Sequence, residues 1–79
     1  MPLRFAHEVI ELLGAYPGRD FKMIEILKYA GYRQQSDSKK RSAMRIAIHR
    51  VLKQLEEAGS IEVQRNARTA VLYRWKTIT

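Results

Sequence analysis

A chain of 79 residues forms one domain (1–79) with a thin core, since at this length folding buries only about 60–65% of the surface that the unfolded chain exposes. It has no cysteine, which excludes disulfides, thiolate catalysis and thiolate metal sites together, and no stretch approaches the roughly 18–20 consecutive apolar residues of a membrane span. The formal charge of +7 is large for the size and points to a polyanionic partner or an anionic surface.

In chain order, Met1-Pro2-Leu3-Arg4 has neither the apolar segment nor the cleavage site of a signal peptide, so an unexported, cytoplasmic protein is expected. Phe5, Ala6, Val9, Ile10, Leu12 and Leu13 recur at helical spacing and predict a first helix from about Leu3 to Leu13, stopped by Gly14 and by Tyr16-Pro17-Gly18. Arg19-Asp20-Phe21 suits a short extended piece. Met23, Ile24, Leu27 and Ala30 then define a second, shorter helix ending at Gly31. The polar stretch from Tyr32 to Ser38 reads as a loop offering several N-caps, so that the third helix starts at Ser38 or at Ser42. In that helix Met44, Ile48, Val51, Leu52 and Leu55 share one apolar arc, and Gly59 ends it after Ala58. Beyond it, Ile61 and Val63 alternate with polar neighbours, Asn66-Ala67-Arg68 makes a turn, and Val71, Tyr73 and Trp75 alternate again, the period of a β-hairpin. The fold class is therefore α+β, with three helices, a short strand between the first two and a C-terminal hairpin. Phe5, Phe21, Tyr73 and Trp75 fall in phase with apolar neighbours and are expected in the core.

The surplus charge is concentrated. Residues 1–32 carry four basic and four acidic side chains and residues 54–79 carry four and three, whereas residues 33–53 carry seven and one. The electrostatic field is thus one-sided, which favours nucleic acid. On the third helix the side opposite the apolar arc collects Ser42, Arg45, Ile46, His49, Arg50 and Lys53, whose guanidinium forks suit guanine O6 and N7 or phosphates. A merely solvated helix face is the competing explanation. Ile46 stands where a solvated helix would carry a polar residue; a thymine methyl, a partner protein, or no function at all would each account for it. Lys39, Lys40 and Arg41 stand at the helix start, where cations oppose the helix dipole, so phosphate contact is their expected use. Arg65 and Arg68 flank the hairpin tip, as suits phosphates or a narrow minor groove. The window from Arg33 to Lys53 holds no aromatic residue for stacking on unpaired bases, which favours a duplex over single strands. His7 and His49 lie far apart with no acidic grouping at metal-ligand spacing, and no phosphate loop, nucleophile elbow or carboxylate pair is present; no metal, no cofactor and no catalytic activity is expected.

The element order, with the run Ile48-His49-Arg50-Val51-Leu52-Lys53-Gln54-Leu55-Glu56-Glu57-Ala58-Gly59-Ser60-Ile61-Glu62-Val63, resembles the bacterial winged-helix transcription regulators, in which a helix ending in leucine-x-x-leucine-glu-x-x-gly runs into the wing. The likeness spans essentially the whole chain and is sharpest from Leu52 to Val63. The hairpin end with Tyr73 and Trp75 is similar to the small regulators of fimbrial operons. The resemblance implies that the third helix enters the major groove while the wing reaches phosphates or the minor groove. It singles out Ser42, Arg45, Ile46, His49, Arg50 and Lys53 on the helix and Arg65, Asn66 and Arg68 in the wing. The segment Ser36-Asp37-Ser38-Lys39-Lys40-Arg41 departs from it, being longer and more basic than the compact pattern. A sequence-specific binder of double-stranded DNA, associated with the nucleoid and acting in transcription, is the leading expectation. The alternatives are an interaction module meeting an acidic protein surface and a plasmid or phage replication or partition protein. With no further helix to form a dimer interface, a monomer or a weak homodimer is expected.

Overall fold

The computed structural model describes residues 4–65 and 71–76. They form three α-helices and a three-stranded antiparallel sheet, in the order α1 (Ala6–Ala15), β1 (Asp20–Lys22), α2 (Met23–Tyr29), a 3-10 turn (Tyr32–Gln34), α3 (Ser38–Glu57), β2 (Ile61–Gln64) and β3 (Leu72–Trp75). The α+β class and the element order are those expected, with the 3-10 turn added.

Helix α1 starts later and stops later than its apolar spacing suggests. Phe5 takes a left-handed conformation (φ 65°) and accepts from the Val9 N–H at 3.1 Å, so regular helix begins only at Ala6. At the other end Gly14 does not stop the helix but lies within it, and the chain turns at Tyr16, whose N–H bonds the Leu13 carbonyl at 3.2 Å. Gly18 (φ 85°) supplies the left-handed residue of this turn and donates to the Trp75 carbonyl at 3.0 Å, which ties the loop to the sheet. Strand β1 runs directly into α2, where the Lys22 N–H is satisfied by Glu25 Oε1 at 2.9 Å. The apolar stripe of α2 differs from the expected one: Ile26 and Leu27 are buried, while Ile24 faces solvent at 41% exposure.

Helix α3 is capped at both ends by local chemistry. The Asp37 side chain accepts from the Lys39 N–H at 2.9 Å, which settles the start at Ser38. At the far end the Gly59 N–H reaches Glu56 O at 3.0 Å and the Ser60 N–H reaches Leu55 O at 2.9 Å, the paired bonds of a Schellman motif, with Gly59 left-handed at φ 81°. Twenty residues at 1.5 Å each make a rod of about 30 Å.

The strand order is β1-β3-β2, with Phe21 opposite Tyr73, Val63 opposite Tyr73 and Ile61 opposite Trp75. One face of the sheet therefore presents Phe21, Ile61 and Tyr73 to the helices, which answer with Val9 and Leu13 of α1, Ile26 and Leu27 of α2, and Ile48, Val51 and Leu52 of α3. Met44 is buried on the same side of α3, and Leu55, Phe5 and Trp75 pack on the margin of this core. Among the described residues no charged or polar side chain is buried, and no helix is long and apolar enough to cross a membrane.

Candidate functional site

Burying Met44, Ile48, Val51 and Leu52 fixes the roll of α3, and with about 100° between successive residues this turns Ser42, Arg45, Ile46, His49, Arg50 and Lys53 outward together. All six are exposed, Ile46 by 55%. The same roll divides the basic run at the helix start. Lys39 lies two turns before Ile46 and extends the outward face by about one turn beyond Ser42. Lys40 falls on the opposite flank. Arg41 lies seven residues before Ile48, on the stripe that faces the body of the protein. There it is half-buried, its guanidinium 5.4 Å from the centre of the Tyr32 ring and its Nε donating to the Gln35 carbonyl. Arg41 thus stands apart from the outward face, where it braces the 3-10 turn against α3.

The outward face is electrostatically uncompensated. Ion pairs join Arg19 to Glu25 and Arg74 to Glu62 away from it and Arg65 to Glu56 at its hairpin end, and on α1 His7 Nε2 lies 2.9 Å from Glu11. Among the described residues Lys39, Arg45, Arg50 and Lys53 make no ion pair. The acids nearest in sequence are otherwise engaged or peripheral: Asp37 caps the helix, Glu56 holds Arg65, and Glu57 marks the end of the face, one turn beyond Lys53.

Arg65 has a different standing from the helix cations. Its two terminal nitrogens donate to the two carboxylate oxygens of Glu56, each at 2.7 Å, a fork-to-fork pair between the end of β2 and the last turn of α3. These hydrogen bonds hold the Glu56 carboxyl below its ordinary range and favour the charged form of Arg65. Across the sheet Arg74 does the same for Glu62, its register partner, at 2.6 Å. Asn66 and Arg68, also expected at the interface, lie outside the described residues.

Two hollows adjoin the face. Met23, the first residue of α2, meets Arg45, Ile46, His49, Arg50 and Lys53 of α3 around a shallow hollow of about 470 Å³. A second, of about 280 Å³, runs between α3 and the sheet and is lined by His49, Leu52, Lys53, Glu56, Glu57, Val63, Arg65 and Tyr73. His49 and Lys53 line both, so the helix face continues toward the hairpin without a break. Met23 is the participant that sequence reasoning assigned to the α2 stripe alone. The signal lay in its position: a residue in the first turn of a helix has a side beyond the end of the stripe, where α3 passes.

No protein-family model matches this chain, and no curated protein or solved structure matches it, so the chemistry of the site is read from its own side chains.

Proposed function

We propose that the chain is a winged-helix protein that binds double-stranded DNA, with α3 lying in the major groove, the β2–β3 hairpin beside it as the wing, and regulation of transcription as its role. The observation that carries this is the segregation of charge. The ion-paired cations Arg19, Arg65 and Arg74 lie at the β1–α2 corner and on the hairpin, while four cations that have no acidic partner among the described residues, Lys39, Arg45, Arg50 and Lys53, gather along one outward face of α3. A helix about 10–12 Å across fits a major groove about 12 Å wide, and its basic side chains then meet phosphates and base edges. The face carries no aromatic residue for stacking, which favours a duplex over unpaired strands. Within this proposal Lys39, Arg45, Arg50 and Lys53 supply the contacts, and Arg65 fixes the hairpin to the helix.

A second possibility is favoured by one feature, the exposed Ile46 beside Met23: an acidic protein surface with an apolar centre would also fit. Fluorescence anisotropy of a labelled mixed-sequence duplex at low salt separates the two. Nucleic-acid binding predicts saturable binding, weakened on the order of tenfold to a hundredfold by combined Arg45→Ala, Arg50→Ala and Lys53→Ala with the thermal melt unchanged. No binding of duplex by the wild-type protein would leave the acidic protein surface as the better explanation.

A further inference from the structure

From the hollow shared by α2 and α3 we infer a specific ligand feature: the 5-methyl group of a pyrimidine, on thymine or on 5-methylcytosine. The inference rests on the proposal that α3 meets duplex DNA, and it adds what one part of that face recognises. Two apolar side chains from different elements, Met23 and Ile46, converge on one hollow in the middle of a cationic surface. Arg45, Arg50 and Lys53 wall it, their aliphatic stems adding apolar surface while their charged heads stay in water.

On a base-pair edge in the major groove, hydrogen-bond donors and acceptors dominate, and the 5-methyl of a pyrimidine is the apolar exception. An Ile surrounded by cations gains nothing from a phosphate oxygen or a guanine edge, but it gains by covering a methyl. The thioether of Met23 is unbranched and adaptable, so it can close over the same methyl from the α2 side. Arg50, one helical turn beyond Ile46, and Arg45 beside it are then placed for a neighbouring guanine or the flanking phosphates. The volume of about 470 Å³ takes the edge of a base together with its methyl.

The test starts from duplexes selected out of a random pool by the wild-type protein. In the best of them each thymine is replaced in turn by deoxyuridine and each cytosine by 5-methylcytosine, and affinities are measured for wild type, Ile46→Ala and Ile46→Gln. The expected result is one or two positions at which removing a methyl weakens wild-type binding about fourfold, or adding one strengthens it as much, with the difference abolished in both variants. A loss with deoxyuridine assigns the methyl to thymine; a gain with 5-methylcytosine assigns it to the modified base. Ile46 is exposed, so both variants should melt with the wild type. If every methyl proves neutral, or if the methyl effects persist undiminished in the variants, the inference is overturned while duplex binding stands. If the wild-type protein selects no duplex, the DNA proposal itself fails and the inference with it.

Discussion

At the scale of single residues, some of the basic side chains do structural work, of two kinds. Arg41 is a packing residue, with its guanidinium over Tyr32 and its Nε on the Gln35 carbonyl. Arg41→Ala is therefore expected to cost about 1 kcal/mol in a urea melt, from the lost stacking and hydrogen bond, while duplex binding changes little. Arg41→Lys should not restore the stability, because an ammonium cannot reproduce the planar stack. Its position is legible in the sequence, seven residues before Ile48, although its membership of the run Lys39-Lys40-Arg41 hides that the helical phase sets it on a different side from Lys39. Arg65 and Arg74 are structural ion-pair partners, holding Glu56 and Glu62 below the ordinary carboxylate range. A carboxyl with a lowered folded-state pKa contributes stability that is present above its unfolded value, about 4.3, and is lost as pH falls through the folded value. Acidification from pH 5 downward should thus loosen the hairpin before the helices, and Trp75, the single tryptophan, sits on β3 to report it. The acid transition of its fluorescence should shrink in Glu56→Gln and Glu62→Gln; an unchanged transition would show that these pairs do not hold the hairpin.

At the scale of elements, end chemistry decides what apolar spacing leaves open. Gly14 invites reading as a stop, yet it is inside α1, and a methyl added there would lie 4.0 Å from Trp75 Cε2, an ordinary contact. Gly14→Ala should accordingly stabilise the protein by about 0.5–1 kcal/mol. Gly59 behaves in the opposite way. Space is open around it, but its φ of 81° strains any L side chain, so Gly59→Ala should destabilise by about 1 kcal/mol in the same thermal melts. The body of α3 and the alternation of the hairpin were legible because both rest on repeated apolar positions, Met44-Ile48-Val51-Leu52 and Ile61-Val63 with Tyr73-Trp75. The first turn of α3 was ambiguous because Ser38 and Ser42 both resemble caps, and Asp37 wins by reaching the Lys39 N–H. The 3-10 turn was illegible, since Tyr32-Arg33-Gln34 has no period and is held by tertiary contact with Arg41. The α2 stripe was misjudged at Ile24 because seven residues are too few for the spacing to choose between neighbouring phases. The outward face of α3 was legible as the complement of its core stripe; Met23 was not, because it joins that face through the crossing of two helices.

At the scale of the whole molecule, eight acidic side chains are set against fifteen basic ones, and their placement makes the excess directional. Acids pair with cations at the β1–α2 corner and at the hairpin, and leave the rod of α3 uncompensated on its outward side. A polyanion approaching from that side meets Lys39, Arg45, Arg50 and Lys53 along three to four turns of helix, with the Met23–Ile46 hollow among them. The central proposal, that this face binds duplex DNA, is tested most directly by the salt dependence of duplex affinity. If the four cations each neutralise a phosphate, log affinity should fall against log salt with a slope of about −3.6, reduced in magnitude by about 0.9 in Lys53→Ala. An absence of duplex binding at low salt, or a slope that stays the same when Arg45, Arg50 and Lys53 are all replaced by alanine, would contradict it.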